Sequence, residues 1–330
     1  MTIWYKWTMI FVLLIICFAS IIFAISIGAK NIPFITVWTS IFQYNSEDNL
    51  HQIIYEVRLP RVLGAVFVGA AFAVAGTVIQ AITRNPLADI GILGINGGAV
   101  LLVTICFAFY PAISYGWLTF FSFIGAALST FLVFSIGIIA RGNLSPLTFT
   151  IAGAVIAAFL HAISSGIAIY FDLNQELAFW YAGGVAGVTW RQLPLLITIV
   201  IVSIIIATLL GKQLTILSTG QEMASSLGIN IKFLLFTSMG VIVLLGGVGV
   251  AVGGSISFVG LIIPHLSRKF VGHDYRWNIP VSALLGSTLV VIADLSARII
   301  FAPKELALGI LIAFIGVPFF LVVAKKLEGT

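Results

Sequence analysis

Apolar runs of about 20 residues, the length that crosses a bilayer as a helix, alternate along the chain with short polar interruptions, and the runs are almost free of charge. One charged side chain at the centre of a spanning helix costs about 2.5–3.5 kcal/mol, so each uncharged window of that length predicts a span. Ten spans result, at about 7–27, 61–83, 90–110, 117–140, 147–170, 191–211, 232–252, 256–271, 279–300 and 305–324, the eighth short and the ninth with Asp294 and Arg298 in its last turns. Two uncharged runs are too long to cross once. The first breaks at Pro111 to Gly116 and the second at Gly253-Gly254-Ser255.

The interruptions carry their own signals. Between spans 1 and 2, Trp38, Ile41 and Phe42 at helical spacing predict a short interfacial helix. Pro60 favours a first helical turn, which sets Arg61 at a helix N-terminus, where the macrodipole disfavours a cation. Gly64, Gly69 and Gly76 offer close contacts to a neighbouring helix. In the turn Arg84 to Asp89, Pro86 bends the chain and Asp89 is placed to cap span 3. The longest polar island runs from Lys212 to Lys232. Within it Met223 and Leu227, four apart, share a helical face that Gly228 is placed to end. A linker and a docking knob both fit this segment.

Composition narrows the class. Of 330 residues 61% are hydrophobic and 8% charged, against about 25% charged in a soluble domain. The chain is therefore expected to be an all-α polytopic membrane protein, a single transmembrane domain over 1–330 with 212–232 as a cytoplasmic segment. Ten spans use roughly 200 residues, which leaves no second soluble domain, so any catalytic or receptor module is another chain. The first run is too long for a signal-peptide core and reads as a retained span. Cys17 and Cys106 are isolated and read as buried small hydrophobes.

The charges orient the spans. Lys6, Arg84, Arg141, Lys212, Lys232, Arg268, Lys269, Arg276, Lys325 and Lys326 fall on the side of the termini, against Lys30, Arg58, Arg61, Arg191, Arg298 and Lys304 on the other. The positive-inside bias makes both termini cytoplasmic, and the same scatter at span ends argues against nucleic acid. Spans 2–5 and 7–10 enter from opposite sides, as an inverted repeat does.

Little in the chain points to chemistry of its own. Gly211-Lys212 lacks the remainder of a phosphate-binding loop, and Gly247-Val-Gly249 lies in a span with no strand before it. His51, His161, His265 and His273 lack metal-ligand spacing, and no nucleophile and base stand at a recognisable spacing. His161, mid-span, either faces a pore or hydrogen-bonds a neighbouring helix. Arg58, Arg61 and Arg298 on the outer side run against the charge bias. They either snorkel to headgroups or recognise carboxylates on an external partner. Asp294 and Arg298, four apart, are spaced to pair. An ion-coupled carrier using His161 and Asp294 is the competing class, disfavoured by the scarcity of mid-span acids.

Four stretches then carry a family likeness. R-L-P-R-V-L-G-A-V-F-V-G-A-A-F-A-V-A-G-T-V-I-Q-A-I-T-R-N-P-L-A-D (58 to 89), G-Q-E-M-A-S-S-L-G (220 to 228), I-S-F-V-G-L-I-I-P-H-L-S-R (256 to 268) and A-D-L-S-A-R (293 to 298) resemble the iron-siderophore, haem and cobalamin permeases of type II ABC importers. The resemblance implies a ten-helix, non-catalytic subunit of the bacterial cell membrane that pairs with a second permease subunit, identical or homologous. It implies two cytoplasmic ATPase subunits, which hold ATP and Mg, and an external substrate-binding protein; this chain holds no cofactor or metal. By the same resemblance Gly220, Gln221, Glu222, Met223, Ala224, Leu227 and Gly228 couple to the ATPase, and Arg58, Arg61 and Arg298 dock the binding protein. Asn143, Leu144, Ser145, Pro146 and Leu147 lie at the cytoplasmic gate. A ferric siderophore is the expected cargo, ahead of haem and cobalamin.

Overall fold

The computed structural model describes residues 2–28, 32–141, 146–302 and 304–328, and among these it is helical without a strand. In chain order the helices are α1 (Ile3–Ser26), α2 (Phe34–Phe42), α3 (Asn49–Gln52), α4 (Leu59–Thr83), α5 (Ile95–Phe109), α6 (Tyr115–Arg141), α7 (Pro146–Tyr170), α8 (Asn174–Ala182), α9 (Leu193–Thr219), α10 (Gln221–Ser226), α11 (Ile231–Gly253), α12 (Val259–Val271), α13 (Tyr275–Ile299) and α14 (Leu308–Glu328). The longer ones follow the predicted spans in order. Seven described helical segments are long and apolar enough to cross a bilayer, while α5 and the described part of α14 are apolar but shorter. The helix α12 has 13 residues.

At the centre lies α4, packed on α9, α11, α12 and α13. Its glycines make this possible. A Cβ at Gly69 would collide with the Gly286 carbonyl of α13, and one at Gly76 with the Gly260 carbonyl of α12, so both backbones approach as only small residues allow. Between α4 and α12 a polar group completes the contact. Pro264, inside α12, has no N–H to offer the carbonyl four residues earlier. That carbonyl, Gly260 O, instead accepts from Gln80 Nε2 at 3.3 Å, and Arg268 Nη2 donates to Gln80 Oε1 at 2.8 Å.

The helices of spans 2–5 and of spans 7–10 make matching contacts. As α4 packs on α12 and α13, α11 packs on α5 and α6; as α5 packs on α6 and α7, α12 packs on α13 and α14.

Four local expectations are corrected. Arg61 is not at a helix N-terminus, because α3, a π-helical turn over Ile53–Arg58 and α4 form one continuous helix from Asn49 to Thr83. The wider π turn bonds the Leu59 N–H to Ile54 O and admits the N–H-less Pro60 without a break. Span 3 does not begin at Ile90. Residues Ile90–Leu93 form a 3-10 turn, and Gly94 at φ 69° separates it from α5. The stretch Lys212 to Thr219 is not part of a separate island, since α9 runs through it. Leu214 and Leu217 are buried there, and Thr215, Ser218 and Thr219 bond back to carbonyls of their own helix. The interruption between spans 5 and 6, which the apolar windows leave as a loop, holds a short helix, α8.

Candidate functional site

The helices present two ends. At the near end, where α1 starts, Lys6 Nζ lies 4.0 Å from Asp274 and 5.5 Å from the Trp277 ring. Thr215 Oγ1 accepts from the Tyr275 N–H at 2.9 Å. Asp274 caps α13, accepting from the Arg276 N–H. The Arg276 guanidinium hydrogen-bonded to it holds its carboxyl below the usual range, against the opposing effect of burial.

The α10 knob projects from this near end. Gly220 precedes it at φ 150°, and Gly228 closes it at φ 77°. The Gly228 N–H bonds Ser225 O at 2.9 Å and the Ile229 N–H bonds Ala224 O at 3.0 Å. That pair of bonds is the Schellman cap, which needs a residue free to adopt the left-handed region at this position. Ala224 is fully buried, while Met223 is 56% and Leu227 63% exposed. Gln221 is half-buried and Glu222 exposed. Two large apolar side chains therefore stand outward on a helix anchored by one small one. The Thr219 hydroxyl donates to Met223 Sδ at 3.4 Å, and both apolar side chains stay largely exposed.

At the far end the three predicted arginines do come together, but turned inward. Arg58, Arg61 and Arg298 are at most 7% exposed. Arg61 straddles Asp294, with Nε 3.0 Å from Oδ1 and Nη2 2.9 Å from Oδ1, and reaches Glu305 Oε1 through Nη1 at 2.9 Å. The Asp294–Arg298 pair forms as spaced, Nη2 to Oδ2 at 3.1 Å. This contact lacks hydrogen-bond alignment, and Arg298 Nη2 has no hydrogen-bond partner among the described residues. Arg58 Nη1 donates to the last carbonyls of α1, Ile25 O at 2.5 Å and Ser26 O at 3.0 Å. A cation at a helix C-terminus is favourable, so Arg58 also ties α1 to α4. Among the described residues the cluster carries three cations against two carboxylates. Of these, only Glu305 is substantially exposed, its side chain at 44%. Glu305 was not singled out in the sequence, because its partner lies 244 residues away.

Within the body, His161 is exposed on α7, and its Nδ1 lies 3.2 Å from the Tyr181 hydroxyl of α8. Of the expected gate, Asn143, Leu144 and Ser145 lie outside the described residues; Pro146 opens α7 and Leu147 follows it. Among the described residues no group of three or more His, Cys, Asp or Glu is placed to hold a metal.

The sequence profile of the FecCD transport family matches residues 13–326. The chain is 44% identical over 303 residues to the iron(3+)-hydroxamate import system permease protein FhuB of Bacillus subtilis, covering 92% of this chain and 79% of that protein. It is 36% identical over 310 residues to the iron-uptake system permease protein FeuB of the same organism, covering 94% and 93%. A solved metal-chelate type ABC transporter in an inward-facing conformation superposes with a TM-score of 0.84 at 28% identity, covering 97% of this chain and 99% of that one.

Proposed function

The chain belongs to the FecCD transport family, and from that premise we propose that it is the permease subunit of an ATP-driven importer of a ferric siderophore. It carries no ATP chemistry; a separate ATPase hydrolyses the nucleotide and this chain supplies the path and the transmission. The observation that carries the reading is the α10 knob, flanked at both ends by glycine, with Met223 and Leu227 largely exposed. A soluble ATPase subunit grips this knob in the cytoplasm, which puts both termini there too. Two permease chains, identical or homologous, enclose the path. ATP binding draws the knobs together and switches access, and hydrolysis resets it.

An external binding protein docks at the far end. The half-exposed cover that Glu305 provides over Arg61 supports this, because an incoming carboxylate can exchange with Glu305 without opening the buried Arg61–Asp294 pair. The likeness to a hydroxamate import permease supports an iron–siderophore cargo.

The test is reconstitution with the cognate ATPase and binding protein in liposomes. ATP-dependent uptake of a ferric siderophore is expected, and replacing Leu227 by Asp together with Glu222 by Lys abolishes it while leaving the membrane domain folded. Full-rate uptake by that double variant would show that coupling runs elsewhere.

A further inference from the structure

The loop before α9 and the start of α6 meet at the far end around a cation that the chain does not use. Trp190 Nε1 donates to Tyr55 O at 2.8 Å. Gln192 Nε2 donates to Thr119 Oγ1 at 3.2 Å, and its Oε1 accepts from the Thr189 N–H at 2.9 Å. Arg191 stands between these two tied neighbours. Its stem lies over the first turn of α6, with Cδ 3.8 Å from where a Cβ on Gly116 would stand, and the residue is exposed. Among the described residues its guanidinium has no hydrogen bond and no ion pair.

Arg191 sits at the rim of a groove of about 450 Å³ between α6, α9 and α11. Ser114 and Trp117 share that rim, and among the described residues the Ser114 hydroxyl and the Trp117 indole N–H are likewise unspent. Beyond the rim the wall turns apolar, with Leu195 of α9 and Val248 of α11. Farther along the same α6–α11 seam lies a second groove of about 560 Å³, between Phe123 and Ala127 of α6 and Val243 of α11. The hydroxyl of Thr130 in its wall is bonded back to Ala126 O at 2.8 Å. From Trp117 to Ala127 the seam descends roughly 15 Å at about 1.5 Å per residue, half of a hydrocarbon layer about 30 Å thick.

The seam thus has one cationic end and an apolar length equal to one leaflet. Water does not fill such a trough, because apolar walls give it no hydrogen-bond partners. A second copy of the chain seated there through the same helices leaves the cation unanswered, since α6, α9 and α11 contain no Asp or Glu. A phosphodiester answers it, because a guanidinium pairs with two phosphate oxygens at once. The chain attached to that phosphate then covers the apolar wall.

We propose that the α6–α11 seam binds an anionic phospholipid of the far leaflet, its phosphate on Arg191 at the rim and one acyl chain along the trough toward Ala127. A zwitterionic headgroup is the poorer fit, because it brings its own ammonium to a rim that holds a cation and no acid. The site needs only a bilayer, so it stands apart from the importer reading and uptake is not its readout.

The experiment reconstitutes the full chain in vesicles of mixed phosphatidylcholine and phosphatidylglycerol, with one or the other carrying brominated acyl chains that quench indole fluorescence on contact. The Trp117 signal is the difference between wild type and Trp117→Phe. Phosphatidylglycerol is expected to occupy the site about 5-fold better than phosphatidylcholine, a preference that weakens as salt rises. Arg191→Gln abolishes the preference and Arg191→Lys keeps most of it. Equal quenching by the two lipids in wild type, or a preference that survives Arg191→Gln, overturns the proposal. Loss of the preference on adding soluble glycerol phosphate would instead assign the rim to a free phosphate and overturns the lipid. The remaining occupant is tested with Leu195→Cys, 54% exposed in the groove wall, in a background without Cys17 and Cys106. A monomeric product after oxidation supports the lipid, and a disulfide-linked dimer overturns it in favour of a second copy.

Discussion

Replacing Asp294 by Asn removes one charge from the cluster at the far end and leaves its shape. Asp294 is 2% exposed at its side chain and sits between two guanidinium groups that are 8% and 6% exposed, at 2.9 Å and 3.1 Å. At about 4 Å between charge centres, each pair contributes roughly 4 kcal/mol with an effective dielectric of 20. Losing both is partly offset, because an amide no longer has to be held charged out of water. Breaking a buried pair from one side leaves about 3–5 kcal/mol of destabilisation, here aggravated by Arg61 and Arg298 facing each other unshielded. Glu305→Gln is the control, since a half-exposed pair contributes only about 0–1 kcal/mol. Unfolding of the purified protein in mixed micelles of rising SDS content reads both. If Asp294→Asn unfolds within about 1 kcal/mol of Glu305→Gln, the cluster is not the buried electrostatic tie between α4 and α13 described above.

Three other outcomes are expected. Gly76→Ala drives a Cβ into the Gly260 backbone and costs about 1–3 kcal/mol as overpacking, read by the same unfolding assay; a neutral result would mean that α4 and α12 stand further apart. Glu305→Gln frees Arg61 for an incoming carboxylate, so binding-protein affinity rises up to about 5-fold for about 1 kcal/mol, most clearly at low salt, and a fall in affinity would refute exchange at Glu305. Because the folded Asp274 carboxyl is held low by Arg276, the unfolded chain binds that proton more readily, and the pair's stabilisation is present above the ordinary carboxylate value of about 4 and fades as pH falls below it. The stability difference between wild type and Asp274→Asn, which keeps the cap, therefore shrinks from pH 7 toward pH 3; an unchanged difference would assign the effect to something other than charge.

Much of this architecture was legible because the cost of transferring charge into hydrocarbon is local. The order of the apolar helices, the α2 helix from Trp38, Ile41 and Phe42, and the glycine contacts of Gly69 and Gly76 all follow from residues read a few at a time. So did the α10 knob, since a positive-φ glycine and a Met223–Leu227 face are one-turn features. The island around it was drawn too wide, because polar side chains that bond to their own helix, as Thr215 and Ser218 do, do not end it.

What only the tertiary structure decided is pairing over long sequence distance. Arg58, Arg61 and Arg298 looked like exposed cations because their partners, the Ile25 carbonyl, Asp294 and Glu305, are supplied by other helices. The π turn that carries Pro60 through an unbroken helix depends on packing around it. Asn96 and Ser255, 159 residues apart, meet only because α5 and the segment between α11 and α12 are brought together. The sequence by itself determined which segments leave water, since that follows from each residue's own transfer free energy. Which polar groups then face one another inside is a property of the packed helices, because it depends on the few neighbours each group is left with.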